Sequence, residues 1–152
     1  KVKKKSDPFT ILITFGGSDP SGLTLKVMKT IANRCYVNTV FKIILGPGFK
    51  KSKDVKLIAS IASNPVEIIH NPTDIFPFFL ECNMAICAGG RTLYELQKLK
   101  VPVIAIASIE HEAVTINVFK KKGMLEGSLL KWDEILFDKL LDDTILRLRC
   151  HS

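Results

Sequence analysis

Two glycine pairs carry the chemistry most open to this chain. Gly16-Gly17 and Gly89-Gly90 each follow a short apolar run and each leads towards a helical pattern. Glycine lets backbone amides approach a ligand with no Cβ in the way. The helix N-terminus beyond such a turn offers unpaired N–H groups and the positive end of a dipole, which suits a phosphate. Two such loops facing each other make a diphosphate cradle. Either pair alone reads better as a plain turn. Both pairs, at the point where a doubly wound sheet reverses its strand order, tip the balance towards a phosphate site.

The residues after the second pair extend this reading. Thr92 can give a hydroxyl and an amide to a phosphate, and Arg91 either adds charge or lies on the surface. Glu95 stands three residues past Thr92, on the same helix face. A carboxylate repels phosphate, so its task there would be to accept hydrogen bonds from ribose hydroxyls; the alternative is a partner for the helix dipole. Ser108 to Glu112 follows another apolar run at the same end of the sheet. His111 and Glu112 read either as sugar or phosphate contacts or as a helix-capping cluster with an incidental histidine.

Other chemistries fail on spacing. In Gly46-Pro47-Gly48, Lys51 stands where a dinucleotide fingerprint needs its third glycine. Gly16-Gly17-Ser18-Asp19-Pro20 resembles a nucleophile elbow but ends in proline. His111-Glu112 is no zinc motif, because Thr115 occupies the second histidine position, and the three histidines are too scattered for a metal cluster. No metal and no cofactor are expected. Cys35, Cys82, Cys87 and Cys150 form no Cys-x-x-Cys and read as free thiols in a reducing cytoplasm. No apolar run reaches the roughly 18 residues of a membrane span. The formal net charge of +7 is scattered over Lys1–Lys5, Lys50–Lys56 and Lys120–Lys122, and no motif turns it into a nucleic-acid site.

The elements that must hold these turns are legible as alternation. Short apolar runs at Phe9–Phe15, Val40–Leu45, Val66–Ile69, Asn83–Ala88 and Val101–Ala107 read as strands. Helical patterns follow them: Leu23–Ala32, Ser52–Ala62, one opened by Pro72-Thr73-Asp74, one from the Gly89–Thr92 turn through Leu99, and Glu112–Lys121. Gly123 closes the last of these, and Asp133 caps a final helix running towards Leu148. Strands apolar on both faces belong to a parallel sheet covered by helices on each side. The expected fold is therefore α/β, a Rossmann-like doubly wound parallel sheet of about six strands. At 152 residues the chain is one domain, over 9–152, with 1–8 as a basic arm or linker remnant. Its first residue is not Met, and it reads as a piece of a longer protein.

On these residues a resemblance rests. Ile11-Leu12-Ile13-Thr14-Phe15-Gly16-Gly17-Ser18-Asp19-Pro20, with Leu23-Thr24, resembles the opening of the C-terminal domain in the PseG and SpsG group. That group includes a UDP-sugar hydrolase of pseudaminic acid biosynthesis and a spore-coat polysaccharide protein. Ala88-Gly89-Gly90-Arg91-Thr92-Leu93-Tyr94-Glu95-Leu96 looks like its second motif and is similar to one in MurG, within the GT-B superfold. Arg91 departs from the small residue more usual there. The resemblance implies UDP or a UDP-sugar as ligand. Gly16 to Ser18 would border the diphosphate, Gly89 to Thr92 would hold phosphate, and Glu95 would bind ribose. Ile69, His70 and Asn71 would meet uracil through backbone atoms, and Glu110, His111 and Glu112 would contact sugar or phosphate. It also implies a missing N-terminal Rossmann-like domain, which supplies the acceptor site and, in the hydrolase, the catalytic histidine. The motifs do not separate hydrolase from glycosyltransferase. A non-catalytic Rossmann-like interaction module is the rival reading.

Overall fold

A computed structural model describes residues 7–150; most of the expected basic arm lies outside the described residues. Six strands alternate with six helices: β1 (Phe9–Thr14), α1 (Leu23–Ala32), β2 (Thr39–Leu45), α2 (Ser52–Ile61), β3 (Val66–His70), α3 (Phe76–Glu81), β4 (Met84–Cys87), α4 (Arg91–Lys98), β5 (Val103–Ile106), α5 (Glu110–Lys121), β6 (Gly127–Leu129) and α6 (Glu134–Cys150). All five strand pairings are parallel, in the order β3-β2-β1-β4-β5-β6. The winding reverses between β1 and β4, as the doubly wound reading requires.

Period-two alternation sends each strand's side chains to two separate cores. Ile11, Ile13, Phe41, Ile43, Ile86 and Ile104 join α1, α2 and α6 on one face. Leu12, Ile44, Ala85, Cys87, Val103 and Ala105 join α3, α4 and α5 on the other. Burying each of the larger aliphatic side chains stabilises the fold by about 1.5–3 kcal/mol. The fourfold spacing of α1 does its expected work: Leu23, Val27 and Ile31 are all buried. Arg34 and Tyr36, just past α1, both reach Asp142 and so tie α6 back to α1.

Two elements depart from the sequence reading. The α3 helix starts at Phe76, later than Pro72-Thr73-Asp74 suggests; Asp74 Oδ1 instead accepts from the Phe76 amide at 3.0 Å. β6 lies in a stretch with no strand pattern. It exists because Gly127, Ser128 and Leu129 pair with Ile104, Ala105 and Ile106. Gly127 lies against α6, where a Cβ would stand 2.3 Å from Leu140 Cδ1 and push that side chain aside.

Candidate functional site

The register of the central strands brings the glycine pairs side by side. Thr14 is the partner of Cys87, so Gly16 and Gly89 each stand two residues beyond the same rung of the β1–β4 ladder. Adjacent strands run about 4.8 Å apart, so the two turns leave the sheet as neighbours.

The two turns are built differently. Gly16 has φ +90°, a conformation that side chains with a Cβ avoid. Gly16, Gly17 and Ser18 are exposed, and a Cβ on either glycine would meet nothing within 4 Å. The turn is braced from below by the β2–α2 loop. Gly48 N–H donates to Gly17 O at 3.0 Å, and a Cβ on Gly46 would fall 2.4 Å from Gly17 Cα. The glycines of Gly46-Pro47-Gly48 thus serve close approach between loops.

The α1 end that follows is already occupied. Asp19, 6% exposed and at φ +49°, accepts from the amides of Leu23 at 3.0 Å and Thr24 at 2.8 Å. Its carboxylate neutralises the positive end of α1. The expectation of a free helix end on both sides is corrected here: the first amides of α1 are taken by Asp19.

The second turn does lead into an open helix end. Gly90 is the N-cap of α4, with no side chain capping it and no acidic residue in the first turn. Helix geometry leaves the first-turn amides of Arg91 and Thr92 without intrahelical acceptors. Gly89 is buried against α5, where a Cβ would stand 2.8 Å from Glu112 O and 2.9 Å from Ile116 Cγ1. Thr92 is half-buried, and Arg91 and Glu95 are exposed.

The β5–α5 loop forms the adjoining rim. Ser21 Oγ donates to Ser108 O, which ties this loop to the one after β1. Glu112 Oε1 accepts from Ser108 N at 2.8 Å and also from Ser108 Oγ. Glu112 therefore fastens the loop that leads into α5. Its other oxygen lies 3.5 Å from where a Cβ on Gly90 would stand. Glu110 and His111 are exposed on the first turn of α5. The buried Cys87 thiol, two residues before Gly89, is pushed well above its ordinary range by burial and then by the Glu112 carboxylate.

Ile69, His70 and Asn71 close β3 at the same end of the sheet. They lie two strand spacings, about 10 Å, beyond β1. Asn71, at φ +43°, donates its amide to Leu45 O at 2.7 Å. The structure thus brings the two glycine turns and the Ser108–Glu112 rim together and keeps the β3 end apart. Among the described residues no cluster of three His, Cys, Asp or Glu side chains can hold a metal ion.

The chain is similar to known proteins in sequence and in fold. SpsG, the spore coat polysaccharide biosynthesis protein of Bacillus subtilis, is 26% identical over 158 residues, covering 97% of this chain and 45% of SpsG. The chain is homologous to SpsG. An uncharacterised protein of Methanocaldococcus jannaschii is 26% identical over 121 residues, 78% of this chain and 25% of that protein. In fold, WaaG, a glycosyltransferase involved in lipopolysaccharide biosynthesis, superposes with a TM-score of 0.67 at 14% identity, over 96% of this chain and 40% of WaaG. MurG of Acinetobacter baumannii superposes with a TM-score of 0.65 at 16% identity, over the whole chain and 50% of MurG. The fold is the Rossmann-like α/β fold of GT-B glycosyltransferases. No family model matches the chain. The chain spans less than half the length of both sequence relatives. Among the described residues no helix is long and apolar enough to cross a membrane.

Proposed function

We propose that this chain is the donor-binding half of a nucleotide-sugar enzyme and grips the diphosphate of a UDP-sugar between its two glycine turns. The observation that carries this reading is the shared rung: Gly16 and Gly89 leave the sheet together at the switch point, and α4 presents an uncapped N-terminus there. The similarity to a polysaccharide biosynthesis protein and to a glycosyltransferase supports the same general role.

In this reading the amides of Gly17 and Ser18 border one phosphate, and those of Arg91 and Thr92 hold the other. The α4 dipole favours the negative charge that gathers on the diphosphate as the sugar–phosphate bond breaks, so the chain lowers the cost of releasing the leaving group. Arg91, exposed beside the turn, adds charge that follows the ligand. Glu95, one turn further along α4, accepts from ribose hydroxyls. The β3 end at Ile69 to Asn71 meets the base, and Glu110 to Glu112 border the sugar. An N-terminal Rossmann-like domain closes over this surface and supplies the site for the acceptor, water or an alcohol. Free thiols at Cys35, Cys82, Cys87 and Cys150 support a cytoplasmic setting.

Calorimetric titration with UDP tests the proposal. The Glu95→Ala variant is expected to bind UDP more weakly by about 1.5–3 kcal/mol, the range for hydrogen bonds to a charged group. Equal affinity in variant and wild type removes Glu95 from the site, and no UDP binding by the wild type removes the proposal.

A further inference from the structure

A concavity beside the glycine turns lies on their α1 side, away from α4. It is a cleft of about 580 Å³ between α1 and the β2–α2 loop. Ser18 and Gly48 form its edge, so it opens directly off the first glycine turn. Its walls carry Lys26 and Lys29, one helical turn apart on α1, and Lys50 and Lys51 from the facing loop. Leu25 and Phe49 supply its apolar floor and pack on the core.

The charges in this cleft are unbalanced. Among the described residues, Arg34, Lys42 and Arg147 each pair with a carboxylate, and none of the four cleft lysines does. The lining contains one acidic residue, Asp19, whose two oxygens already accept from the α1 amides. The four lysines are exposed, and their like charges make the mouth of the cleft positive and mutually repulsive. An anion relieves that repulsion. We propose that this cleft receives an anionic group, carboxylate or phosphate, carried by the sugar or by its acceptor. The inference rests on the nucleotide-sugar reading for what lies next door: a ligand whose diphosphate sits at Ser18 passes the mouth of the cleft as it extends towards α1. The cleft has the size of a small-molecule pocket. Its single aromatic ring is no stacking platform for a nucleic-acid strand.

The test compares charged and neutral probes by calorimetry on the full chain. UDP-glucuronate against UDP-glucose probes a charge on the donor sugar, and glucose 6-phosphate against glucose, with UDP present and absent, probes a charge on the acceptor. The expected result is a preference for the anionic member of at least one pair of about tenfold, since each exposed charge pair contributes a few-fold. The Lys29→Gln/Lys50→Gln double variant is expected to abolish that preference and leave UDP affinity within about twofold. The Lys29→Arg/Lys50→Arg variant restores it. Equal binding of charged and neutral probes overturns the inference alone, with the UDP site intact. Loss of UDP affinity in step with probe affinity also overturns it, because the lysines then serve the nucleotide. If the wild type binds no UDP yet prefers glucose 6-phosphate through these lysines, the cleft stands and the nucleotide reading falls. Tighter binding of an unrelated oligonucleotide than of any sugar probe, through the same lysines, overturns it in favour of a nucleic-acid surface.

Discussion

Replacing Gly89 by alanine sets a methyl group against a wall that cannot step aside. The new Cβ would stand 2.8 Å from Glu112 O, 2.9 Å from Ile116 Cγ1 and 3.0 Å from Glu112 Cβ. The first of these is backbone of α5, and Ile116 is fully buried, so relief requires the helix to move. Overpacking of this kind costs about 1–3 kcal/mol. At Gly90, one residue on, the nearest atom to an added Cβ is Glu112 Oε2 at 3.5 Å, an ordinary contact, and φ is negative at −95°. Gly90 is the N-cap of α4, where Ala is less favoured than Gly, so Gly90→Ala is expected to cost up to about 1 kcal/mol, without the overpacking of Gly89→Ala. Its methyl group would still stand at the mouth of the α4 helix end, where we propose the diphosphate binds. The pair of variants thus separates packing from binding. Urea unfolding should show a clearly lowered midpoint for Gly89→Ala and a smaller drop for Gly90→Ala, while UDP affinity falls in Gly90→Ala beyond what that small drop explains. A Gly89→Ala protein as stable as the wild type refutes the packing argument. A Gly90→Ala protein that binds UDP normally refutes the role of that turn.

Two further outcomes follow from the same geometry. Asp19→Ala removes the carboxylate that caps α1, and a loss of about 0.5–2 kcal/mol is expected in urea unfolding; an unchanged midpoint would mean that the α1 amides find other acceptors. Burial holds the Cys87 thiol above its ordinary range, so the folded chain binds that proton more tightly than the unfolded chain. That contribution to stability is complete below pH 9 and is lost as pH rises beyond it. Alkylation of the native protein at pH 9 should label the exposed Cys35 and Cys150 and spare Cys87, and prompt labelling of Cys87 would contradict its burial.

The parts of the fold that depend on local pattern were legible in the sequence. Strands such as β1, with apolar residues on both faces, lie between two helical layers, and the glycine pairs mark the two strand ends where the winding reverses. What depends on partners distant in the chain was hidden. β6 has no alternation of its own and is made by β5 and α6. Nothing local says that Gly46 must be glycine, because the atom it would strike belongs to Gly17. Asp19 carried a signal that was available, an acidic residue four before the first helical position. Its left-handed backbone, which turns the carboxylate onto the α1 amides, is set by the loop. Glu112 had two possible roles in the sequence, and only the fold shows that one of its oxygens is taken by Ser108.

Amide chemical shifts during a UDP titration of isotope-labelled protein test the diphosphate cradle most directly. The largest changes should fall together on Gly16, Gly17, Ser18, Gly90, Arg91 and Thr92, at the neighbouring ends of β1 and β4. Saturating UDP that moves only amides remote from both turns would contradict the account.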